Sequence, residues 1–520
     1  MVKLSFSDIK DNFKIIAAGE IALELQAAPI RYYRHGWQSW SLTAWTDLSP
    51  LPIQKPTIFH PLQIDPLYAR EENPHGSWVG AVEFANGNIL LLGALSTGAH
   101  VFLAGNQLKG QSEAGEIEWL FAYGQESQVF DEYVNQLGDR FGRADKNHVP
   151  RVWCSWYSLY TEINERILHQ TFDLLGDLPF EVLQVDDGWQ KDVGDWEANE
   201  KFPSGMKALA DKIKSTGRRA GLWLAPLIAA ESSRLFREKK DWFLRDEKGR
   251  LVSAGFNWGQ RLFALDVTHP DVISWLVALM KQVRAWGFDY YKLDFLYAGA
   301  LPGKRRKEMP REVAYRECLR VMREAMGEGA FFLTCGTPII PALGLCDAIR
   351  IGPDVSHDWE NRRNEHLLQN FTTPGTKNAI RTAIHRLWLK PLAHIDPDVE
   401  YFESRENGLK REQKELLKSL ALICDFKATS DLPKWWTPAE REQVREFLLA
   451  QPEVTQLSRY VYKLDERIVD FSSAVELPKP PQGLTALWAE FLGWLGNWKV
   501  VLRIVKMMDD DALRKRVARI

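Results

Sequence analysis

The sequence has few cysteines, and none is placed as a pair. The five, Cys154, Cys318, Cys335, Cys346 and Cys424, are scattered over 520 residues without a CxxC motif. An odd, scattered set favours neither a disulfide framework nor a zinc knuckle. We therefore expect a reducing compartment, the cytoplasm.

Long apolar runs and an excess of one charge are also missing. No window approaches the 18 or more apolar residues that a membrane-spanning helix needs, and the N-terminus alternates polar and apolar residues without the pattern of a secretory signal. With 66 Lys and Arg against 69 Asp and Glu, the net charge is −3. We expect neither a membrane span nor a nucleic-acid partner.

Several catalytic motifs are absent as well. The sequence contains no phosphate-binding GxxxxGK[ST], no dinucleotide-binding GxGxxG, no HExxH and no GxSxG. Its 11 histidines are scattered without an HxH pair. Nucleotide chemistry, zinc hydrolysis and serine hydrolysis thus lose their usual support, and no metal site is indicated.

Tryptophan, in contrast, is abundant, with 21 residues. Two W-x-S-W tetrapeptides occur, one at residues 37–40 and one at 153–156, where it lies on the first strand of the pattern described next. They are either two separate buried aromatic clusters or the walls of one pocket, since the flat face and polar edge of tryptophan suit amphipathic ligands such as sugars.

The hydrophobic pattern changes near residue 150. Before it, short runs at 88–94, 99–103 and 116–123 separated by turn residues predict an antiparallel β-sandwich. After it, strands alternate with amphipathic helices, such as a helix from Pro270 to Gly287 followed by a strand at 288–295. Eight strands over about 280 residues predict a (β/α)8 TIM barrel. Their predicted ends lie near Tyr157, Asp187, Pro226, Asp294, Cys335, Asp354, Asp396 and Thr429.

We therefore divide the chain into three domains. Residues 1–145 form an N-terminal antiparallel β-sandwich, 146–434 the barrel, and 435–520 a small C-terminal domain with a strand-like run at 458–471 and a helical tail. In the tail, apolar residues fall at coiled-coil-like spacing, interrupted by glycine. The tail either packs on its own barrel, forms a contact between copies or lies on a membrane surface. The apolar positions are Leu484, Leu487, Phe491, Trp494, Trp498, Val501, Val505 and Met508.

Carboxylates at the predicted strand ends are the main chemical signal, because functional residues of such barrels lie there. Lys292 and Asp294 are two residues apart and point the same way on a strand, and Arg350 and Asp354 have the same parity. A carboxylate beside a lysine stays ionised as a nucleophile must, whereas one less well neutralised can hold a proton. Two such carboxylates are the equipment of glycoside hydrolysis. The alternative is a set of structural ion pairs.

The doublet Asp186 and Asp187 ends the second predicted strand. It is either a turn with a helix cap or a pair of acceptors for neighbouring sugar hydroxyls, because an ionised carboxylate only accepts hydrogen bonds.

Seven motifs together resemble the α-galactosidases of glycoside hydrolase family 36, especially the short bacterial type. They are WQSW, WCSWY, QVDDGWQKDVGDW, GLWLAP, YYKLDFLYAGA, CGTP and RIGPD, in order over residues 30 to 430.

The resemblance implies a retaining exo-α-galactosidase that acts on terminal α-galactosides by double displacement, with no cofactor. It implies Asp294 as the nucleophile and Asp354 as the general acid/base. Trp40 and Trp156 would line the pocket. The residues implied to contact galactose are Asp186, Asp187, Trp223, Lys292, Cys335 and Arg350.

Four alternatives stay open. Within the family, these are an α-N-acetylgalactosaminidase, which needs space at the sugar 2-position, and a galactosyl transferase. Outside it, a Schiff-base aldolase could use Lys292 at a strand end. A non-catalytic sugar-binding module would keep the tryptophans and lose one of the two acids.

Overall fold

The N-terminal region consists of two packed β-sheets. The computed structural model describes residues 1–5, 13–49, 64–144 and 148–495. Eleven strands make up the two sheets in this part of the chain: β1 Val2–Ser5, β2 Phe13–Ala18, β3 Glu20–Glu24, β4 Arg31–Arg34, β5 Ala44–Thr46, β6 His75–Ser77, β7 Val79–Glu83, β8 Ile89–Ala94, β9 Ala99–Ala104, β10 Gln107–Ser112 and β11 Ile117–Gly124.

One sheet has the order β1-β3-β10-β9-β6 and the other β2-β11-β8-β7-β4-β5. All their pairings are antiparallel except that of β1 with β3. β8 is buried along its whole length, because β9 and β10 of the other sheet cover one side and the helix at Glu126–Phe141 lies on the other. The predicted antiparallel sandwich is confirmed, and the three predicted runs correspond to β8, β9 and β11.

Eight parallel strands form the central sheet and follow one another around it in chain order. The strand that precedes residue 430 returns to pair with the first. A parallel bridge between Glu400 and Thr429 joins the remaining edge, so the predicted (β/α)8 barrel is confirmed. The eight strands are β12 Val152–Cys154, β13 Val182–Val185, β16 Arg219–Leu224, β20 Tyr290–Leu293, β21 Phe331–Thr334, β22 Ala348–Arg350, β23 His394–Asp396 and β24 Ala428–Thr429.

The barrel strands are shorter than predicted. The strand predicted at 288–295 extends only from Tyr290 to Leu293, and Asp354 lies in the loop after β22. The placement of Trp156 on the first strand is wrong, because β12 ends at Cys154 and Trp156 begins a short helix. At this point Ser155 leaves the sheet and its Oγ accepts a hydrogen bond from the Asp186 N–H.

Thirteen α-helices lie in the described part of the chain. The predicted helix at 270–287 is confirmed: Pro270 is its first residue, and Gly287 ends it with a left-handed φ of 103°. The helices are α1 Glu126–Phe141, α2 Trp156–Leu159, α3 Glu165–Leu175, α4 Gly205–Ser215, α5 Arg234–Glu238, α6 Pro270–Trp286, α7 Arg311–Met326, α8 Ile339–Ala342, α9 Thr376–Ile384, α10 Arg411–Cys424, α11 Pro438–Leu449, α12 Ser472–Val475 and α13 Leu484–Leu495.

A two-stranded hairpin and a three-stranded sheet extend from the barrel loops, and a second three-stranded sheet follows the barrel. The predicted run at 458–471 contains the last two strands of that sheet. The remaining strands are β14 Gln190–Asp192, β15 Asp195–Ala198, β17 Ile228–Ala230, β18 Ser253–Asn257, β19 Gln260–Ala264, β25 Val454–Ser458, β26 Val461–Leu464 and β27 Arg467–Asp470.

Helix α13 accounts for the first part of the tail. Its side chains Leu484, Leu487, Phe491 and Trp494 are largely exposed, while the helix also contacts the barrel segment Arg363–Leu367. The other predicted tail positions, from Trp498 to Met508, lie outside the described residues. Over the residues described, no helix is long and apolar enough to cross a bilayer.

Candidate active site

A cavity of about 220 Å³ opens at the carboxyl ends of the barrel strands. Its volume is below the roughly 300–1,000 Å³ of pockets for drug-sized ligands, and thus suits one small ring. It contains eight of the ten site residues predicted from the sequence. Those eight are Trp40, Trp156, Asp186, Asp187, Trp223, Lys292, Asp294 and Asp354.

Asp294, directly after β20, is held by two N–H donors. The Trp223 Nε1 donates to its Oδ2 at 3.1 Å, and the Phe295 N–H to its Oδ1 at 2.7 Å. Phe295 has a φ of 53°, a strained conformation for a bulky residue that is typical of functional sites. Both oxygens of the Asp294 carboxylate are therefore fixed at the edge of the cavity.

Lys292 and Asp186 form a buried ion pair beside Asp294. The Lys292 Nζ lies 2.8 Å from Asp186 Oδ2, which also accepts from Gln184 Nε2 at 2.6 Å. Burial by itself would lower the pKa of Lys292, but the Asp186 carboxylate raises this pKa well above its usual value. A Schiff base needs a neutral amine, so this arrangement argues against the aldolase alternative.

Asp187 accepts two short hydrogen bonds. The Gln190 Nε2 donates to its Oδ1 at 2.6 Å, and the Trp258 Nε1 to its Oδ2 at 2.7 Å. Burial raises the pKa of Asp187 to about 6, against the opposing effect of these two donors. The alternative of a helix cap at this doublet is wrong, because β14 rather than a helix follows it.

Asp354 faces the cavity from the loop after β22. Its side chain is 31% exposed, and its Oδ1 accepts from Arg350 Nη1 at 3.2 Å. Desolvation raises the pKa of Asp354, although Arg350 opposes this change. This carboxyl is therefore better able to keep a proton than an ordinary aspartate.

Two predicted contact residues, Cys335 and Arg350, lie behind the cavity wall. Cys335 follows β21 and is 1% exposed, and burial raises the pKa of its thiol well above the usual value. Arg350 is 3% exposed, and it also contacts the carboxylates of Asp396 and Asp398. Neither side chain lines the cavity.

The N-terminal loop, residues 36–41, carries Trp40 from the sandwich into the cavity wall. The Ser39 N–H donates to the Thr337 carbonyl at 3.0 Å, and the Thr337 N–H donates to Ser39 Oγ at 3.1 Å. Gly336 has a φ of 54°, and a Cβ there would lie 3.1 Å from the Trp40 ring. The loop and the barrel thus meet too closely for a side chain at this position.

Arg386, directly before the short helix Leu387–Leu389, binds the same loop. Its guanidinium donates to one barrel carbonyl, that of Ile351, at 3.0 Å. The side chain is fully buried, and it contacts no carboxylate among the described residues. Its other acceptors are the carbonyl oxygens of Gly36, Gln38, Ser39 and Ser41.

The sequence reasoning missed several cavity residues. The β18–β19 hairpin contributes Trp258, whose φ is 51°, and the turn sequence Asn-Trp-Gly was the available signal for a hairpin there. Its position over the cavity depends on tertiary structure. The missed lining residues are Gln38, Ala254, Gly255, Phe256, Asn257, Trp258, Leu262, Phe295, Tyr297, Thr372 and Pro374.

In the described ranges, no group of three or more His, Cys, Asp or Glu side chains is arranged to hold a metal ion.

Comparison with known proteins relates this cavity to one enzyme family. A family model described as Melibiase matches residues 122–326. The α-galactosidase TtGalA of Thermus thermophilus, solved with p-nitrophenyl α-D-galactopyranoside, is 42% identical with a TM-score of 0.84. The match covers 88% of this chain and 94% of that one. TtGalA has also been solved with stachyose.

Curated relatives match over shorter segments. The α-galactosidase AgaA of Geobacillus stearothermophilus is 27% identical over 212 residues, which are 38% of this chain and 28% of that protein. Its solved structure, described as a GH36 α-galactosidase, has a TM-score of 0.57 at 16% identity and covers 82% of this chain and 61% of that one, a likeness of fold. An A type blood α-D-galactosamine galactosaminidase of Flavonifractor plautii is 31% identical over 125 residues, 22% of this chain and 12% of that protein. The first curated relatives are thus matched over only about a quarter of their length.

Proposed function

The chain belongs to the α-galactosidases of glycoside hydrolase family 36, and from that membership we propose that it is a retaining exo-α-galactosidase. Its substrates would be terminal, non-reducing α-D-galactosides, including oligosaccharides such as the stachyose bound by TtGalA. The observation that carries the proposal is the pair Asp294 and Asp354, two carboxyls in different environments on one cavity.

The two environments suit the two roles of a double displacement. Asp294 is oriented by the Trp223 and Phe295 N–H groups, as a nucleophile requires. Asp354, with its raised pKa, is suited to act as a general acid. Asp294 forms a bond to the anomeric carbon while Asp354 protonates the departing glycosidic oxygen. Asp354 then takes a proton from the water that breaks the bond to Asp294, and the α configuration is retained.

Galactose recognition follows from the remaining polar groups. Asp186 and Asp187 offer carboxylate oxygens to neighbouring hydroxyls. In the described part of the chain, the Trp40 Nε1 has no protein acceptor and is buried at the cavity, so it can donate to a sugar oxygen. Trp156 and Trp223 supply aromatic walls. Lys292 holds Asp186 in place through the 2.8 Å ion pair, and we assign to Arg350 and Cys335 the support of the cavity from behind.

An assay panel tests the substrate. We expect hydrolysis of p-nitrophenyl α-galactoside, with little or none of the α-N-acetylgalactosaminide and α-glucoside, and NMR should show α-galactose as the first product. Preference for the N-acetylated substrate would favour the galactosaminidase, as in the Flavonifractor relative, and transfer to an added sugar would favour a transferase. Hydrolysis of none of the three would refute the proposal.

Replacement of the nucleophile tests the mechanism. Asp294→Ala should abolish turnover, and added azide should restore galactoside cleavage with formation of β-galactosyl azide. The matched control is Asp347→Asn, because Asp347 precedes β22 at the opposite end of the barrel and pairs with Arg323 at 2.8 Å. An active Asp294→Ala enzyme would contradict the assignment.

Three further predictions are also proposals: the domain boundaries, the compartment and a contact between copies. The division at 1–145, 146–434 and 435–520 can be tested by limited proteolysis. A cytoplasmic location is supported by the five cysteines, which are all buried and none of which is in a disulfide.

A contact between copies through the tail 484–520 is supported by the exposed side chains of α13. Light scattering on the full chain and on a chain ending at residue 483 would test it, and monomers in both would contradict it.

A further inference from the structure

A buried aspartate outside the cavity contacts the machinery around the proposed general acid. Asp398, two residues after β23, has a side chain with no exposed surface. Its φ is 90°, which is uncommon for a residue other than glycine and is typical of functional sites. It does not line the cavity, so any role in the reaction must pass through other residues.

Two hydrogen-bond donors and one arginine converge on one oxygen of Asp398. Its Oδ2 accepts hydrogen bonds from the Tyr157 hydroxyl and from the Val355 N–H at 3.0 Å, and it forms an ion pair with Arg350 Nη1 at 2.9 Å. Val355 directly follows Asp354, so the bond to its N–H fixes the peptide that carries the Asp354 side chain. No donor to the other oxygen, Oδ1, occurs among the residues that the structure describes.

Arg350 is divided among three carboxylates. Its Nε contacts Asp396 at 2.8 Å, and its Nη1 contacts Asp398 at 2.9 Å and Asp354 at 3.2 Å. Asp354 has the longest of the three contacts. Because Asp354 and Asp398 lie on the same nitrogen, the charge of each acts on the other at short range.

Burial and the contacts of Asp398 act in opposite directions on the protonation of this pair. Burial raises the pKa of Asp354, and it raises that of Asp398 to about 7. Donors and cations directed at a carboxylate favour its ionised form, and one oxygen of Asp398 has two donors and Arg350. These contacts oppose the effect of burial on Asp398, and its negative charge in turn favours the protonated form of Asp354.

We propose that Asp398 is a positioning residue for Asp354: it anchors the backbone of Asp354 through Val355 and, by sharing Arg350, lets Asp354 keep its proton at neutral pH. The inference rests on the function proposed above and adds a residue to it. The charged and titratable groups around Asp398 come from six parts of the fold. They are Cys154 of β12, Tyr157 of α2, Lys292 of β20, Arg350 and Asp354 of β22 and its loop, Asp396 of β23, and Glu400 after β23.

The variant Asp398→Asn removes the charge and keeps the shape. Arg350 then interacts with two carboxylates instead of three, so Asp354 should lose its proton at lower pH. The alkaline limb of the kcat/KM profile should move down by about one pH unit, which is the size of pKa shift that one neighbouring charge causes. At pH values above the limb, activity on melibiose should therefore be about tenfold lower than in the unmodified protein. p-Nitrophenyl α-galactoside has a good leaving group that needs little proton donation, so its cleavage should change much less.

Two further variants keep the test decisive. Tyr157→Phe removes one donor to Asp398 without changing the charge, and it should move the same limb in the same direction by a smaller amount. Asp347→Asn removes an arginine-paired carboxylate at the far end of β22 and should leave both pH profiles unchanged. Circular dichroism melting establishes that each variant is folded.

The outcomes separate this inference from the proposed function. If the unmodified protein cleaves neither galactoside, the proposed function fails and the role of Asp398 fails with it. If the unmodified protein is active but folded Asp398→Asn and Tyr157→Phe keep its pH profile and its ratio of melibiose to aryl-galactoside activity, the positioning role is refuted and the function stands.

Discussion

Replacing Arg386 by lysine tests whether one guanidinium holds the N-terminal loop in the cavity wall. Arg386 is fully buried and donates to five carbonyl oxygens, four of the loop and one of Ile351. Lysine keeps the positive charge but has only three donors. At least two of the five contacts must therefore be lost.

The magnitude follows from those two contacts. Hydrogen bonds to charged groups contribute about 1.5–3 kcal/mol each, so Arg386→Lys should destabilise the folded protein by about 3–6 kcal/mol. This is a large share of the roughly 5–15 kcal/mol that keeps proteins folded. Because the loop carries Trp40, KM for p-nitrophenyl α-galactoside should also rise, with a smaller change in kcat.

Arg218→Lys is the matched control. Arg218 is buried directly before β16, at the other end of the barrel. Within the described residues it also donates only to carbonyls, those of Gly176, Leu178 and Phe180. Three lysine donors suffice in number for three acceptors, so its urea midpoint should fall less and its KM should not change. Urea unfolding followed by tryptophan fluorescence, together with steady-state kinetics, measures both effects. Equal midpoints and equal KM values for the two variants would refute the role of Arg386.

Three further predictions concern the cavity wall. Because burial raises the pKa of Asp187 to about 6, protonation below that pH removes an acceptor for the sugar. KM should therefore rise as pH falls through about 6. Asp187→Asn should bind the galactoside weakly, and its KM should not show this dependence on pH. Trp258→Phe removes the 2.7 Å hydrogen bond to Asp187. That bond contributes about 1.5–3 kcal/mol, so kcat/KM should fall by roughly 10–100-fold. Trp196→Phe is the control and should leave the kinetics unchanged, because the Trp196 indole N–H has no acceptor among the described residues. Gly336→Ala adds a Cβ at a φ of 54°, 3.1 Å from Trp40, and should lower stability by about 1–2 kcal/mol in thermal melting and raise KM. Unchanged KM in each of the three cavity variants would contradict this description of the wall.

The residues that sequence could place are those that follow a strand directly. Asp186, Asp187 and Asp294 end apolar runs, and in a parallel barrel the carboxyl ends of all strands meet at one face. The spacing of Lys292 and Asp294 indicated their common side as well. Local periodicity and the barrel topology together were enough for these positions.

Residues whose partners are distant in the sequence carried no such signal. Trp258 reaches Asp187 only because the β18–β19 hairpin lies over the barrel mouth. Arg386 has no local sequence signal for its role, and its five acceptors come from segments up to 350 positions away. Asp398 lies in an Asp-Pro-Asp sequence that suggests a turn. In each case the partner, and therefore the role, is set by tertiary contacts that no local pattern records.

The two proposed catalytic carboxyls show how such contacts assign chemistry. Asp294 directly follows β20, Asp354 lies in the loop after β22, and each has a basic residue of matching parity. Asp294 receives one N–H donor on each oxygen, which orients the proposed nucleophile at the edge of the cavity. Asp354 receives a single arginine contact that Asp396 and Asp398 share. Since an undivided arginine would favour the ionised form of Asp354, the buried carboxylates that share Arg350 favour the protonated form that the proposed general acid requires.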